Sequence, residues 1–190
     1  MGLKGGHVFT LSFDCALPPE SLLGERQGQG FKTAMAVLDN GRIEVAAMAL
    51  GIAQAAFDFA VTYAKQRVIG GEALANRQGI RWQIADMALG LERARALALD
   101  AARQRDVAHQ TGQRFSLAAA MAKLDCSEMV GRVTDAALQI HGGYGYTRDF
   151  PIERLVRDAR IFRIHSFPHD VLVRVVASAV IPNLKNVTTH

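Results

Sequence analysis

Proline occurs only at positions 18, 19, 151, 168 and 182, so nothing between residues 20 and 150 forbids an uninterrupted helix. Within that window the apolar residues return at every third or fourth position, the spacing of one helix face. Ile43, Ala46, Ala47, Leu50, Ala53, Phe57, Ala60, Val61 and Ala64 predict a long helix from Phe31 to Arg67. Asp39-Asn40-Gly41 is expected to break or kink its start, and Gly70-Gly71 to end it. A second helix is expected from an Asn76 N-cap toward Gly112, carrying Ile80, Ile84, Met87, Ala88, Leu91, Ala94 and Ala98. A third runs from Ser116 to His141 with Ala122, Cys126, Met129, Val130, Val133, Ala136, Ala137 and Ile140 on one side. Three such helices with short connections predict an all-α, up-and-down four-helix bundle. The fourth helix follows Pro151 and holds Ile152, Leu155, Val156 and Ala159. A last apolar segment spans Val171 to Ile181, stopped by Pro182. A further row, Ala94, Ala98, Ala101 and Ala102, predicts close helix contacts beyond one subunit; the alternative is that these are simply good helix formers.

Composition agrees with a helical core. Apolar residues make up 49% and charged residues 21% of 190, too apolar for a disordered chain, and aromatics are only 7%. The net charge of +4 and pI near 9.4 come from basic residues interleaved with acidic ones, with no reading helix or stacking motif, so no nucleic-acid partner is expected. Cys15 and Cys126 give no disulfide framework, and a reducing, cytoplasmic setting is expected. No apolar stretch is expected to span or bind a membrane, and Met1–Gly6 does not read as a signal peptide.

One segment departs from the helical period. Val8, Thr10 and Ser12 alternate with Phe9, Leu11 and Phe13, which predicts a short strand preceding the bundle. Pro18-Pro19, Gly24, Gly28 and Gly30 then mark a turn-rich connection. One strand makes no sheet, so it either packs on the helices or belongs to a sheet found elsewhere.

Few residues suggest chemistry by type alone. Gln139-x-x-Gly142-Gly143 sets an amide beside a glycine turn, where backbone N–H groups can approach a phosphate; an ordinary helix stop looks the same. Arg67 at a helix end suits a pyrophosphate, or is a solvated cation favouring the helix C-terminus. Arg42 reads as a surface arginine paired with Glu44 or Asp39. His165 and His169 have the i, i+4 spacing of helical metal ligands, but Pro168 lies between them and no third ligand is evident, so no metal site is expected.

Taken together and in order, four segments resemble the acyl-CoA dehydrogenase family of flavoproteins. They are Leu22-Leu23-Gly24-Glu25 with Gly28-Gln29-Gly30-Phe31-Lys32; Leu38-Asp39-Asn40-Gly41-Arg42; Tyr63-Ala64-Lys65-Gln66-Arg67 with Gln78; and Gln139–Tyr146 followed by Pro151-Ile152-Glu153-Arg154 and Arg157-Asp158-Ala159-Arg160. The resemblance implies that residues 1–27 are the last strand and linker of a middle β-domain, residues 28–182 the C-terminal helical domain, and residues 183–190 a flexible tail. It implies FAD bound by Arg67, Gln78, Gln139, Gly142 and Gly143 across a subunit interface, hence a homo-oligomer, dimer or tetramer. It places Arg42 at an acyl-CoA pocket and makes an electron-transfer flavoprotein a candidate redox partner. The implied reaction is α,β-dehydrogenation of an acyl-CoA.

Two departures stand out. The family often has an aromatic where Gly70 stands, and Ser166 stands where the family's catalytic glutamate is expected. A variant position for that carboxylate, just before Arg42, holds Gly41. Asp170 is the nearest acid, a candidate base or a flavin contact; His165 and His169 are candidate bases, His165 otherwise a packing residue in place of an aromatic. The chain alone is therefore expected to be inactive. The alternative is a non-catalytic helical oligomerisation or flavin- and acyl-CoA-binding module.

Overall fold

The computed structural model describes residues 1–24 and 27–181. Three long helices, α1 (Gly30–Gln66), α2 (Gln78–Thr111) and α3 (Ser116–His141), pack mutually, and two shorter ones, α4 (Ile152–Ala159) and α5 (His169–Val180), lie on α3. At about 1.5 Å per residue, α1 runs for roughly 55 Å. α3 is the centre of the molecule, in contact with all four other helices. The all-helical bundle expected from the periodicity is the observed fold.

The α1–α3 contact is built on small side chains. Ala46, Ala49, Ala53, Ala56, Ala60 and Ala64 have no exposed surface, and α3 contributes Ala119, Ala122, Cys126, Val130, Val133 and Ala137 to the same core. Alanine at every third or fourth position brings helix axes close and spends no side-chain entropy. Larger residues complete the same core: Met87 and Leu91 from α2, Met129 from α3, Ile152 from α4 and Phe162 from the 3-10 turn that follows it.

Several expectations are corrected. No strand forms over 8–13: those residues are exposed and hydrogen-bonded in no ladder, because no second strand among the described residues takes their N–H and C=O groups. Asp39-Asn40-Gly41 does not break α1, which is continuous from Gly30 to Gln66. Asn40 turns its amide back to the Ala36 carbonyl at 3.0 Å, and Asp39 accepts hydrogen bonds from Arg42 and from Ser116 at the start of α3. These ties outweigh the helix cost of one glycine, about 1 kcal/mol. Asn76 caps nothing; it lies in a 3-10 turn, and α2 starts at Gln78 behind an extended Arg77. Ala94, Ala98 and Ala101 are buried in the chain's own core, where they support α2 against its neighbours. α1 is also long and apolar enough to cross a membrane, contrary to expectation, yet its alanine face is the one packed into the bundle.

A small hairpin was not foreseen. β1 (Val68–Ile69) pairs antiparallel with β2 (Glu72–Ala73), joined by Gly70 and Gly71 at φ 66° and 85°. Two consecutive left-handed residues make the tight turn that glycine adopts without strain. Arg77 donates to the Ile69 carbonyl at 2.9 Å and so fastens the hairpin to the start of α2. Glu25, Pro182 and the tail at 183–190 lie outside the described residues.

Candidate functional site

The ends of α1 and α3 meet at a cavity of about 570 Å³. Its lining brings together Arg67, Gln139, Gly142 and Gly143 with Tyr63, His141 and Tyr144. Gln78, two residues before the lining Ile80, is exposed and outside the lining. Arg67 terminates α1 in an extended conformation, which turns its side chain off the helix axis. Its guanidinium carbon stands 5.2 Å from the Tyr144 ring centroid, and it has no carboxylate partner among the described residues. An unneutralised guanidinium beside apolar walls is a receptor for an anion.

Below it is an aromatic stack. The Tyr63 and buried His141 rings lie 4.4 Å apart and near-parallel, and Phe150 meets both edge-on. His141 Nδ1 lies 2.7 Å from the Ala137 carbonyl, so Nδ1 carries the proton and the ring is fixed. The stack braces the last turn of α3, from which Gln139 and the glycine turn project. Tyr63, His141 and Tyr144 lie within the segments that carry the family resemblance but were given no role of their own. The available signal was local only for His141 and Tyr144, which border Gly142-Gly143; Tyr63 comes from α1.

The three glycines of this turn differ in what demands them. Gly142 has φ 58° and caps α3. A Cβ on Gly145 would lie 2.7 Å from the His141 Cβ and 2.9 Å from the Leu138 carbonyl oxygen, so packing excludes any side chain there. Gly143 has neither reason: its φ is not left-handed, and a Cβ would meet nothing within 4 Å. Open space over a glycine that the fold does not need fits a ligand approaching the backbone, and the donor set beside it fits a diphosphate.

A second cluster lies where α1, α3 and the turn at residues 165–168 converge. Arg42, expected on the surface, is buried, paired with Asp39 and covered by the Phe167 ring at 4.8 Å. Lys123 on α3 has no exposure and donates to the Phe167 carbonyl at 3.2 Å. Burial, with Arg42 adding repulsion, lowers the Lys123 amine to about 8. A lysine inside an alanine-rich stripe was the sequence signal for it. His169 begins α5 with Nδ1 3.1 Å from Glu128, and burial and Lys123 together hold its pKa below the ordinary histidine value. His165 packs edge-on against Phe162. Ser166 is partly buried on the turn, and Asp170 is exposed in the first turn of α5. Among the carboxylates of this cluster, Asp39 is engaged by Arg42 and Ser116, and Glu128 by Arg163 and His169.

Comparison with known proteins agrees with this geometry. Residues 28–181 match the family model for the acyl-CoA dehydrogenase C-terminal domain. The chain is 46% identical over 181 residues to an acryloyl-CoA reductase (NADH) of Anaerotignum propionicum, covering 95% of this chain and 45% of that protein. It superposes on the butyryl-CoA dehydrogenase of Megasphaera elsdenii with a TM-score of 0.80 at 46% identity, over 86% of this chain and 42% of that one. A structure described as the electron transferring flavoprotein of Acidaminococcus fermentans contains a chain matching with a TM-score of 0.83 at 44% identity, over 90% of this chain and 44% of its own length. The chain thus spans less than half the length of these relatives. In sequence and in fold, it belongs to the acyl-CoA dehydrogenase family and carries that family's C-terminal domain.

Proposed function

We propose that this chain is the cofactor- and substrate-contacting helical part of a flavin-dependent enzyme that oxidises an acyl-CoA at its α,β bond. The observation that carries the reading is the convergence of Arg67, Gln139, Gly142 and Gly143 on one cavity. Arg67 would neutralise the FAD diphosphate, the N–H groups of Gly142 and Gly143 would donate to its oxygens, and Gln139 would bond through its amide. Gln78 would contribute from α2 on the same ligand. When bound, FAD supplies the acceptor for the hydride that leaves the β-carbon. The other half of the reaction, removal of the α-proton, needs a carboxylate raised toward neutrality. Ser166 offers none, Asp170 is exposed, and Asp39 is tied to Arg42 and Ser116. The isolated chain therefore binds and does not turn over. Residues 1–27 would be the exit of a β-domain, which accounts for Val8, Phe9, Leu11 and Phe13 standing exposed. A homo-oligomer, an electron-transfer flavoprotein as redox partner and a cytoplasmic location complete the proposal.

The missing base also favours the second reading, a binding and assembly module without catalysis. Incubation with FAD, gel filtration and a visible absorption spectrum test the main reading. A retained flavin band that Arg67→Ala reduces at least tenfold is expected; a colourless wild-type protein refutes it. Bleaching of that band by butyryl-CoA would overturn the claim that the chain lacks turnover.

A further inference from the structure

Residues 165–168 hold a backbone shape that side chains rarely adopt in succession. Ser166 and Phe167 are both left-handed, at φ 55° and 76°, and neither is glycine. Such strain persists only where surrounding contacts over-determine it. Two buried cations do so here. Lys123 holds the Phe167 carbonyl, and the Arg42 guanidinium lies against one face of the Phe167 ring. The ring is itself partly exposed, so it covers Arg42 on one side and meets solvent on the other. Arg42 is only 6% exposed, and while one terminal nitrogen is paired with Asp39, its Nε–H has no acceptor among the described residues. A buried N–H without an acceptor is uncommon in folded proteins and calls for an explanation, an incoming oxygen being one.

We infer that Phe167 is a plug over Arg42, held shut by Lys123, and that a carbonyl or anionic oxygen of an acyl-CoA reaches Arg42 when the 165–168 turn releases. The backbone opposes the shut state and the side-chain contacts maintain it, which is what a releasable cover requires. The ligand class rests on the function proposed above; the plug does not.

The test separates the two. Exchange of the Arg42 Nε–H with water is followed by ¹⁵N NMR, the signal being assigned by its loss in Arg42→Lys. Phe167→Gly is expected to speed that exchange at least tenfold. Lys123→Met, which keeps the ring and removes the hold on the carbonyl, is expected to do the same and serves if the glycine variant fails to fold. Unchanged exchange overturns the plug, whatever binds. Calorimetric titration with butyryl-CoA then addresses the ligand, with at least tenfold tighter binding expected in Phe167→Gly than in wild type. Faster exchange with no gain in butyryl-CoA binding keeps the plug and refutes the acyl-CoA reading.

Discussion

Replacing Lys123 by methionine should change how stability depends on pH, and the size of the change follows from its surroundings. Methionine matches the stem of lysine in an alanine-lined slot and removes the buried charge. In the folded chain, burial and Arg42 bring the amine from the ordinary 10.5 to about 8. Below pH 8 both folded and unfolded chains carry the proton, and the desolvation penalty on the folded state is complete. Above pH 8 the folded chain releases a proton that the unfolded chain keeps, so stability rises with pH up to about 10.5. Between pH 7 and 9 the gain is about 1 kcal/mol, and it tends toward roughly 3 kcal/mol at higher pH. Cys126 acts in the opposite sense. Burial pushes its thiol up to about 12, so from pH 9 the unfolded chain ionises first and stability falls. That loss is shared by wild type and variant and cancels in their difference. Urea unfolding of both proteins at pH 7, 8 and 9 should therefore show wild type gaining about 1 kcal/mol relative to Lys123→Met. A difference constant to within about 0.4 kcal/mol over that range would refute the assignment of a desolvated lysine at this position.

Further substitutions test other parts of the fold. Asp39→Asn leaves the buried Arg42 charge without its partner and should destabilise the chain by about 3 kcal/mol in urea unfolding; a loss below about 1 kcal/mol would mean the pair is solvated. Gly145→Ala should cost about 1–3 kcal/mol from overpacking against His141 and Leu138. Gly143→Ala, entering open space, should leave thermal stability unchanged while reducing FAD retention, and equal effects at the two glycines would contradict their division of roles. Phe162→Ala removes a ring with no exposed surface and should lower stability by about 3–5 kcal/mol.

Much of this architecture was legible beforehand because helices are local objects. Alanines spaced at three and four residues, with no proline to interrupt them, are enough to specify α1, α2 and α3 to within a few residues. What misled was also local. Asp39-Asn40-Gly41 has the chemistry of a turn, but a hydrogen bond from Ser116, distant along the chain, holds it helical. Residues 8–13 have the alternation of a strand, and alternation supplies no partner. For the site, the order of short motifs pointed to Arg67, Gln139 and the glycines, which do share a cavity, and to Gln78, which is exposed outside it.

The linear sequence, then, determined the helices, their order, their small-residue faces and the family resemblance, because each depends on spacing along one chain. Only the tertiary structure decided which polar side chains lost contact with water. Arg42 looks like any other cation when read in line, Lys123 is marked only by the alanines around it, and burial between α1, α3 and the turn at 165–168 gives one an unanswered N–H and the other a lowered pKa. Both properties come from desolvation and from charges distant in sequence, and no local pattern of residues encodes either.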